Sequence, residues 1–177
     1  HAVVDGWTLQ IVFRVLHAAY YGQTVPKIVP YSGFISHLLS LEADAAKSFW
    51  QTELNGCRHM PFPPSPKAGV EPSYAVKTHN IPMNSIMPGT ITKATIFRAA
   101  WSIVLAAHCG SDDVVFGATV SGRNAAVPGI QDMPGPAIAT IPIRTRVTKD
   151  SLAEDYLQHV QMKSTYTAEY EQYGIQN

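Results

Sequence analysis

Charge of one sign is missing from this sequence: 13 lysines and arginines stand against 13 aspartates and glutamates in 177 residues, and the formal net charge is zero with histidine neutral. Without a basic excess the chain lacks the electrostatic footprint that holds a nucleic acid or an anionic membrane surface, and neither partner is expected. Long hydrophobic runs are missing too. No apolar stretch approaches the ~20 residues of a membrane span, and no basic-then-apolar leader opens the sequence. Cysteine is scarce, with only Cys57 and Cys109. They stand far apart, outside any CxxC and without histidines at zinc spacing, so no metal site is expected and two idle thiols in a reducing, cytoplasmic setting are. Charged residues make up 15% of the chain and hydrophobic ones 46%, a balance that buries a core rather than staying disordered. The length suits one domain or a piece of a larger one. A chain that opens without methionine, directly on its best motif, is expected to be such a piece, lacking activity by itself.

That motif is His1-Ala2-Val3-Val4-Asp5-Gly6. An imidazole is the side chain whose ordinary pKa lies nearest neutrality, so His1 suits holding or moving a proton at pH 7. Asp5, four residues on, can turn back and fix the loop that carries it. Gly6 lets the backbone bend and bring an N–H toward a reacting oxygen, although a plain turn glycine fits the same place. A His1–Asp5 metal pair offers too few ligands. The other histidines stand without partners on helices or loops and read as structural or solvated. Six residues of this kind arise by chance, and the rest of the chain decides their meaning.

Periodicity organises that remainder. A helix is expected from Trp7 to Tyr21, with Leu9, Val12, Phe13, Leu16 and Tyr20 on its inward face and Gly22 as the stop. Residues 26–31 form a connector. A second helix runs from Ser40 or Leu41 to Leu54, with Ala45, Phe49 and Trp50 inward, and ends at Asn55-Gly56. Five prolines between Cys57 and Pro72 forbid regular structure there. Tyr74 to Ile81 alternates as a strand does. From Thr92 to His108 a stripe of Ile96, Ala99, Ala100, Ile103, Val104 and Ala107 marks the most periodic helix, with Gly110 just beyond. Asp113–Val120 reads as a buried strand, 121–136 as a Gly- and Pro-rich loop, and 137–147 as a second strand with Ile141 and Ile143 inward. Ser151 and Glu154 have capping-box spacing for a last helix. Helices alternating with strands make an α/β architecture.

The segment from Ile91 to Arg146 carries A-A-W-x-x-V-L-A, D-D-V-V-F-G, S-G-R-N, P-G-I and G-P-x-I-A-T-x-P-x-R in that order. It resembles the condensation domains of nonribosomal peptide synthetases, especially fungal ones. The opening His1–Gly6 is similar to the second half of that family's H-H-x-x-x-D-G signature. Phe49-Trp50 and Leu54 resemble its inter-lobe region.

The resemblance implies a two-lobed chloramphenicol acetyltransferase-like fold, only partly present, with the active site in the channel between lobes. Residues 1–56 would close the first lobe with inter-lobe helices, 57–72 form a Pro-rich linker, and 73–177 open the second lobe. The implied reaction joins a carrier-bound acyl or peptidyl thioester to a carrier-bound amine as an amide. The implied partners are donor and acceptor peptidyl carrier domains, whose phosphopantetheine arms bring the substrates, and an adjacent adenylation domain. No cofactor or metal is bound directly. His1 matches the catalytic histidine, Gly6 is the candidate oxyanion contact, and Asp5 is the structural aspartate, with Arg123 as its partner across the lobes. Removing one member of that pair, if fully buried, is expected to cost ~3–5 kcal/mol. Ala139 stands where the common bacterial pattern has asparagine, a change that also occurs in terminal, ring-closing domains of fungal synthetases. The competing readings are a stand-alone acyl-CoA-dependent acyltransferase and a non-catalytic module that docks carrier proteins.

Overall fold

The structure is a computed structural model that describes residues 3–58, 62, 75–81, 91–148 and 150–173. The described residues form α1 (Gly6–Tyr20), α2 (Ser32–Ser40), α3 (Ala43–Leu54), α4 (Lys93–Cys109), β1 (Asp113–Val120), a 3-10 turn (Ile130–Asp132), β2 (Ala139–Arg146) and α5 (Ala153–Ala168). The two strands pair in one sheet. Two compact units result, and neither is continuous in sequence. The first comprises His1–Asn55, Phe116–Ile143 and Thr165–Asn177; the second comprises Gly56–Val115 and Arg144–Ser164.

In the first unit, α1 starts because the Asp5 side chain accepts the Thr8 amide at its N-terminus, and it stops beside Gly22, whose N–H bonds the Ala19 carbonyl at 3.3 Å. Its buried residues are Thr8, Ile11 and Ala18. The expected apolar face points outward instead: Leu9, Val12, Phe13, Leu16 and Tyr20 are all exposed, Phe13 at 65%. Helix α2 was not anticipated in the sequence, yet its Phe34, 1% exposed, centres this unit's core with Val127, Ile130, Met133 and Ala137. Burying Phe34 stabilises the unit by roughly 1.5–3 kcal/mol. Helix α3 begins at Ala43 and buries Ala46, whereas the expected Ala45 is exposed. Phe49 stacks on Tyr170 with ring centres 4.2 Å apart, and the Trp50 indole donates to the Tyr170 carbonyl at 3.3 Å.

In the second unit, α4 is capped by the Thr92 hydroxyl, which accepts the Thr95 amide, and is closed by Gly110. The buried residues are Thr95, Ala99, Ser102 and Leu105, a face rotated from the expected stripe; Ala100, Ile103, Val104 and Ala107 are exposed. The hydroxyls tolerate burial because they are hydrogen-bonded: Ser102 Oγ donates to the Arg98 carbonyl one turn back at 2.6 Å, and Thr95 Oγ1 donates to Gln161 Oε1 on α5 at 3.0 Å. Ala99, Tyr156 and Val160 form the core here, flanked by Val147 and Leu157. Asp113 is held by Arg144 through Nε at 2.9 Å and Nη2 at 2.6 Å. The Arg144 hydrogen bonds, opposed by burial, hold the Asp113 carboxyl below its ordinary value.

The expected strand at 74–81 is absent over its described residues 75–81, all exposed and in no regular element. Tyr74 and most of the Pro-rich segment lie outside the described residues. Ser151 does not cap α5: its hydroxyl donates to the Thr148 carbonyl at 3.0 Å, and Glu154 accepts from Gln158 instead. β2 keeps the expected alternation, with Ile141, Ile143 and Thr145 buried and Arg146 outward.

Candidate active site

The site is built where α1 begins. Asp5 sits in extended backbone at the N-cap, 1% exposed. Its Oδ1 accepts the Thr8 amide at 2.7 Å and the Thr8 hydroxyl at 2.6 Å; its Oδ2 accepts the Ala137 amide at 3.0 Å. Arg123 completes the ring of donors, with Nη2 3.4 Å from Oδ1 and 3.3 Å from Oδ2. Asp5 and Arg123 therefore meet as a fully buried ion pair, their side chains 0% and 2% exposed.

Their division of labour differs from a simple ion pair. The short contacts of Arg123 run to carbonyls: Nη1 donates to Ile130 at 2.6 Å and Met133 at 2.8 Å, and Nη2 donates to Gly135 at 2.9 Å. The guanidinium thus folds the 130–135 loop around itself and reaches Asp5 only at longer range. Burial alone would raise the Asp5 carboxyl, but the Thr8 hydroxyl and amide, the Ala137 amide and the Arg123 charge together hold it below its ordinary value. Burial and the Asp5 charge push the Tyr31 phenol upward against the opposing charge of Arg123, and its hydroxyl donates to the Pro136 carbonyl at 2.8 Å.

Two glycines make this approach possible. Gly122, at φ 68°, would place a Cβ 1.6 Å from the Ala137 carbonyl oxygen. Gly135, at φ 146°, would place one 2.1 Å from Tyr31 Cδ2. These are the glycines of the S-G-R-N and G-P strings, and no side chain fits at either position.

Further along, the Trp7 indole donates to the Gln131 carbonyl at 2.9 Å, with the Arg123 guanidinium 5.7 Å from its ring centre. Arg14 pairs with Asp132 at 2.6 Å, both half exposed. Asp5, Trp7, Thr8 and Arg14 together fasten α1 and its N-cap to the 121–137 loop.

A family model for the condensation domain matches residues 1–177. The chain belongs to the condensation-domain family. Among similar curated proteins, nonribosomal peptide synthetase GRA1 of Gibberella zeae is 38% identical over the whole chain, which spans 2% of that protein. Peramine synthetase A of Epichloe festucae is 37% identical over 99% of the chain and 6% of its own length. A selenomethionine crystal structure of a protein called CT superposes with a TM-score of 0.79 at 29% identity, covering 97% of this chain and 40% of that one. A mutant starter condensation domain of rhizomide synthetase gives 0.76 at 17% identity, covering 98% and 42%, a likeness of fold. The chain thus carries part of the chloramphenicol acetyltransferase-like fold and spans well under half the length of each.

Within this condensation-domain chain, His1 lies outside the described residues. Gly6 opens α1 in open space, without a positive φ and with no atom within 4 Å of an added Cβ, so no tight bend requires glycine there. Ala139 is buried at the start of β2. Sequence reasoning missed Thr8, which touches both the motif aspartate and the opposite loop. Its only signal was a hydroxyl three residues after an N-cap aspartate. Among the described residues no group of three or more His, Cys, Asp and Glu side chains could hold a metal ion, and no helix is long and apolar enough to cross a membrane.

Proposed function

We propose that this chain is part of a nonribosomal peptide synthetase condensation domain that forms an amide between two carrier-bound substrates. The observation carrying the reading is the buried Asp5–Thr8–Arg123 knot in a member of this family. It ties the end of the H-x-x-x-D-G segment to the S-G-R-N and G-P loops. In the reaction the amine nitrogen attacks the thioester carbonyl, the C–N bond forms, the C–S bond breaks, and the phosphopantetheine thiol leaves on the donor carrier. The amine sheds a proton on the way. His1, with its imidazole within ~3 Å of the nitrogen, accepts that proton or holds the amine in line. Gly6, at the first position of α1, offers a backbone N–H unused by the helix to the carbonyl oxygen as it gains charge. Asp5 and Arg123 build the site without touching substrate. Residues 1–56 belong to the first lobe and 73–177 to the second in this reading. Peptidyl carrier domains and an adenylation domain are the partners, and the phosphopantetheine arms are the only prosthetic groups involved. Ala139 favours a terminal, ring-closing subtype.

The test uses the full protein carrying this chain, with loaded carriers. His1→Ala is expected to lower amide formation about 10²-fold with carrier loading unchanged. Turnover within threefold of the parent removes His1 from the mechanism. Transfer from free acyl-CoA with no carrier requirement would favour a stand-alone acyltransferase, and mass spectrometry of the product separates a ring from a linear chain.

A further inference from the structure

Resting on that condensation reading, we propose that Thr8 is a positioning residue for amide formation, its hydroxyl locking the motif aspartate to the backbone of Gly135. Helix capping does not account for this hydroxyl. The cap is already made by the Thr8 amide on Asp5 Oδ1 at 2.7 Å. The hydroxyl makes a separate link to a segment 127 residues away, where it accepts the Gly135 amide at 2.9 Å.

A hydroxyl has one proton to give. Two acceptors compete for it, Asp5 Oδ1 at 2.6 Å and the Gly135 carbonyl at 3.0 Å. The shorter, charge-assisted contact to the carboxylate takes it, while the Gly135 carbonyl receives Arg123 Nη2 at 2.9 Å. The Thr8 oxygen is therefore a relay, accepting from the 133–137 loop and donating to Asp5. Its contact with the carboxylate is shorter than either contact made by Arg123, at 3.3 and 3.4 Å. Thr8 is 2% exposed, so it does not meet substrate. It acts through Asp5, which lies four residues after His1 and one before Gly6. Loosening the relay lets that segment shift against the loop, and a misplacement near 1 Å costs on the order of 10²-fold in rate.

The experiment compares Thr8→Val, which keeps the shape and removes the hydroxyl, with Thr8→Ser, which keeps the hydroxyl, in the full protein with both carriers loaded. The expected result is a kcat about 10²-fold lower for Thr8→Val with KM for the acceptor carrier nearly unchanged, and Thr8→Ser within about threefold of the parent. Thr8→Val that turns over within threefold of the parent, or that melts earlier while its folded fraction keeps the parental kcat, overturns the proposal. So does Thr8→Ser as impaired as Thr8→Val. Should Thr8→Val fail to fold, Thr8→Cys replaces it, since a thiol keeps a small side chain and bonds only weakly; lost kcat supports the relay and unchanged kcat overturns it. A parent protein that forms no amide at all sinks the condensation reading and this inference with it. An active parent with an active Thr8→Val sinks this inference alone.

Discussion

Replacing Arg123 by methionine tests which of its bonds matter. The guanidinium is buried and donates to the carbonyls of Ile130, Met133 and Gly135 as well as to Asp5. Methionine fills much of the same volume and donates nothing. Asp5 would keep the two Thr8 donors and the Ala137 amide. The Ile130, Met133 and Gly135 carbonyls would lose the guanidinium altogether, each at about 1–3 kcal/mol, since the single Thr8 proton already goes to Asp5. With the weaker loss at Asp5 the total is about 3–5 kcal/mol or more, at or above the scale for removing one member of a buried pair. The informative comparison is Arg123→Lys. If the charge on Asp5 were the main term, an ammonium would restore most of the stability. The geometry says otherwise, because one nitrogen cannot serve three carbonyls in a fixed fork, and Lys should restore less than about half of the loss. Urea unfolding of the domain, followed by the fluorescence of Trp7, whose ring centre lies 5.7 Å from the guanidinium, reads the change where it occurs. A loss below about 1 kcal/mol for Arg123→Met, or near-complete rescue by Arg123→Lys, refutes this account.

Gly135→Ala should cost about 3 kcal/mol or more, since its Cβ would lie 2.1 Å from Tyr31 Cδ2 at a φ of 146°; thermal melting of the variant within a degree of the parent would contradict this. Asp113→Asn should cost about 1 kcal/mol at neutral pH, as its ion pair with Arg144 is largely but not wholly buried. Because the folded Asp113 carboxyl titrates below its ordinary value of 3.8, its contribution is present above that value and lost as pH falls through the folded one. Acid titration should therefore show the parent losing its advantage over Asp113→Asn as the pH falls below about 4, and an advantage that does not shrink with falling pH would refute the assignment.

Element positions were legible in the sequence more often than element faces were. The period placed α1 and α4 within a residue or two of their ends, but in both the buried side was not the most apolar one. Ser102 and Thr95 are buried because their hydroxyls bond neighbouring groups, which makes them behave as small packing residues. Hydropathy counts them as polar and turns the predicted face toward Ile103 and Val104. Helix α2 was missed because residues 26–31 before it read as a connector and the core that draws Phe34 in is formed by distant residues of the 121–137 loop. Alternation over 75–81 produced no strand, since a strand needs a neighbouring edge that local pattern cannot supply. At the site, Asp5 and Arg123 were legible from motifs. Thr8 was not, because its meaning comes from Gly135, 127 residues away, and nothing local marks a threonine as a relay.

The discontinuity of the first unit also sets a timetable for synthesis. Residues 3–55 carry α1, α2 and α3, yet their decisive partners arrive late: Arg123 follows Asp5 by 118 residues, and Tyr170 follows Trp50 by 120. At about 5–20 residues per second a ribosome needs roughly 6–25 s to make that intervening stretch. Through this interval Phe34 has no core to enter, and the Asp5 carboxylate has the Thr8 donors without Arg123 or the Ala137 amide. The first unit closes only after most of the second has been made, so its contacts are distant in sequence and its folding slow. Nascent chains stalled before residue 121 should bind a chaperone more strongly than chains extended past residue 173.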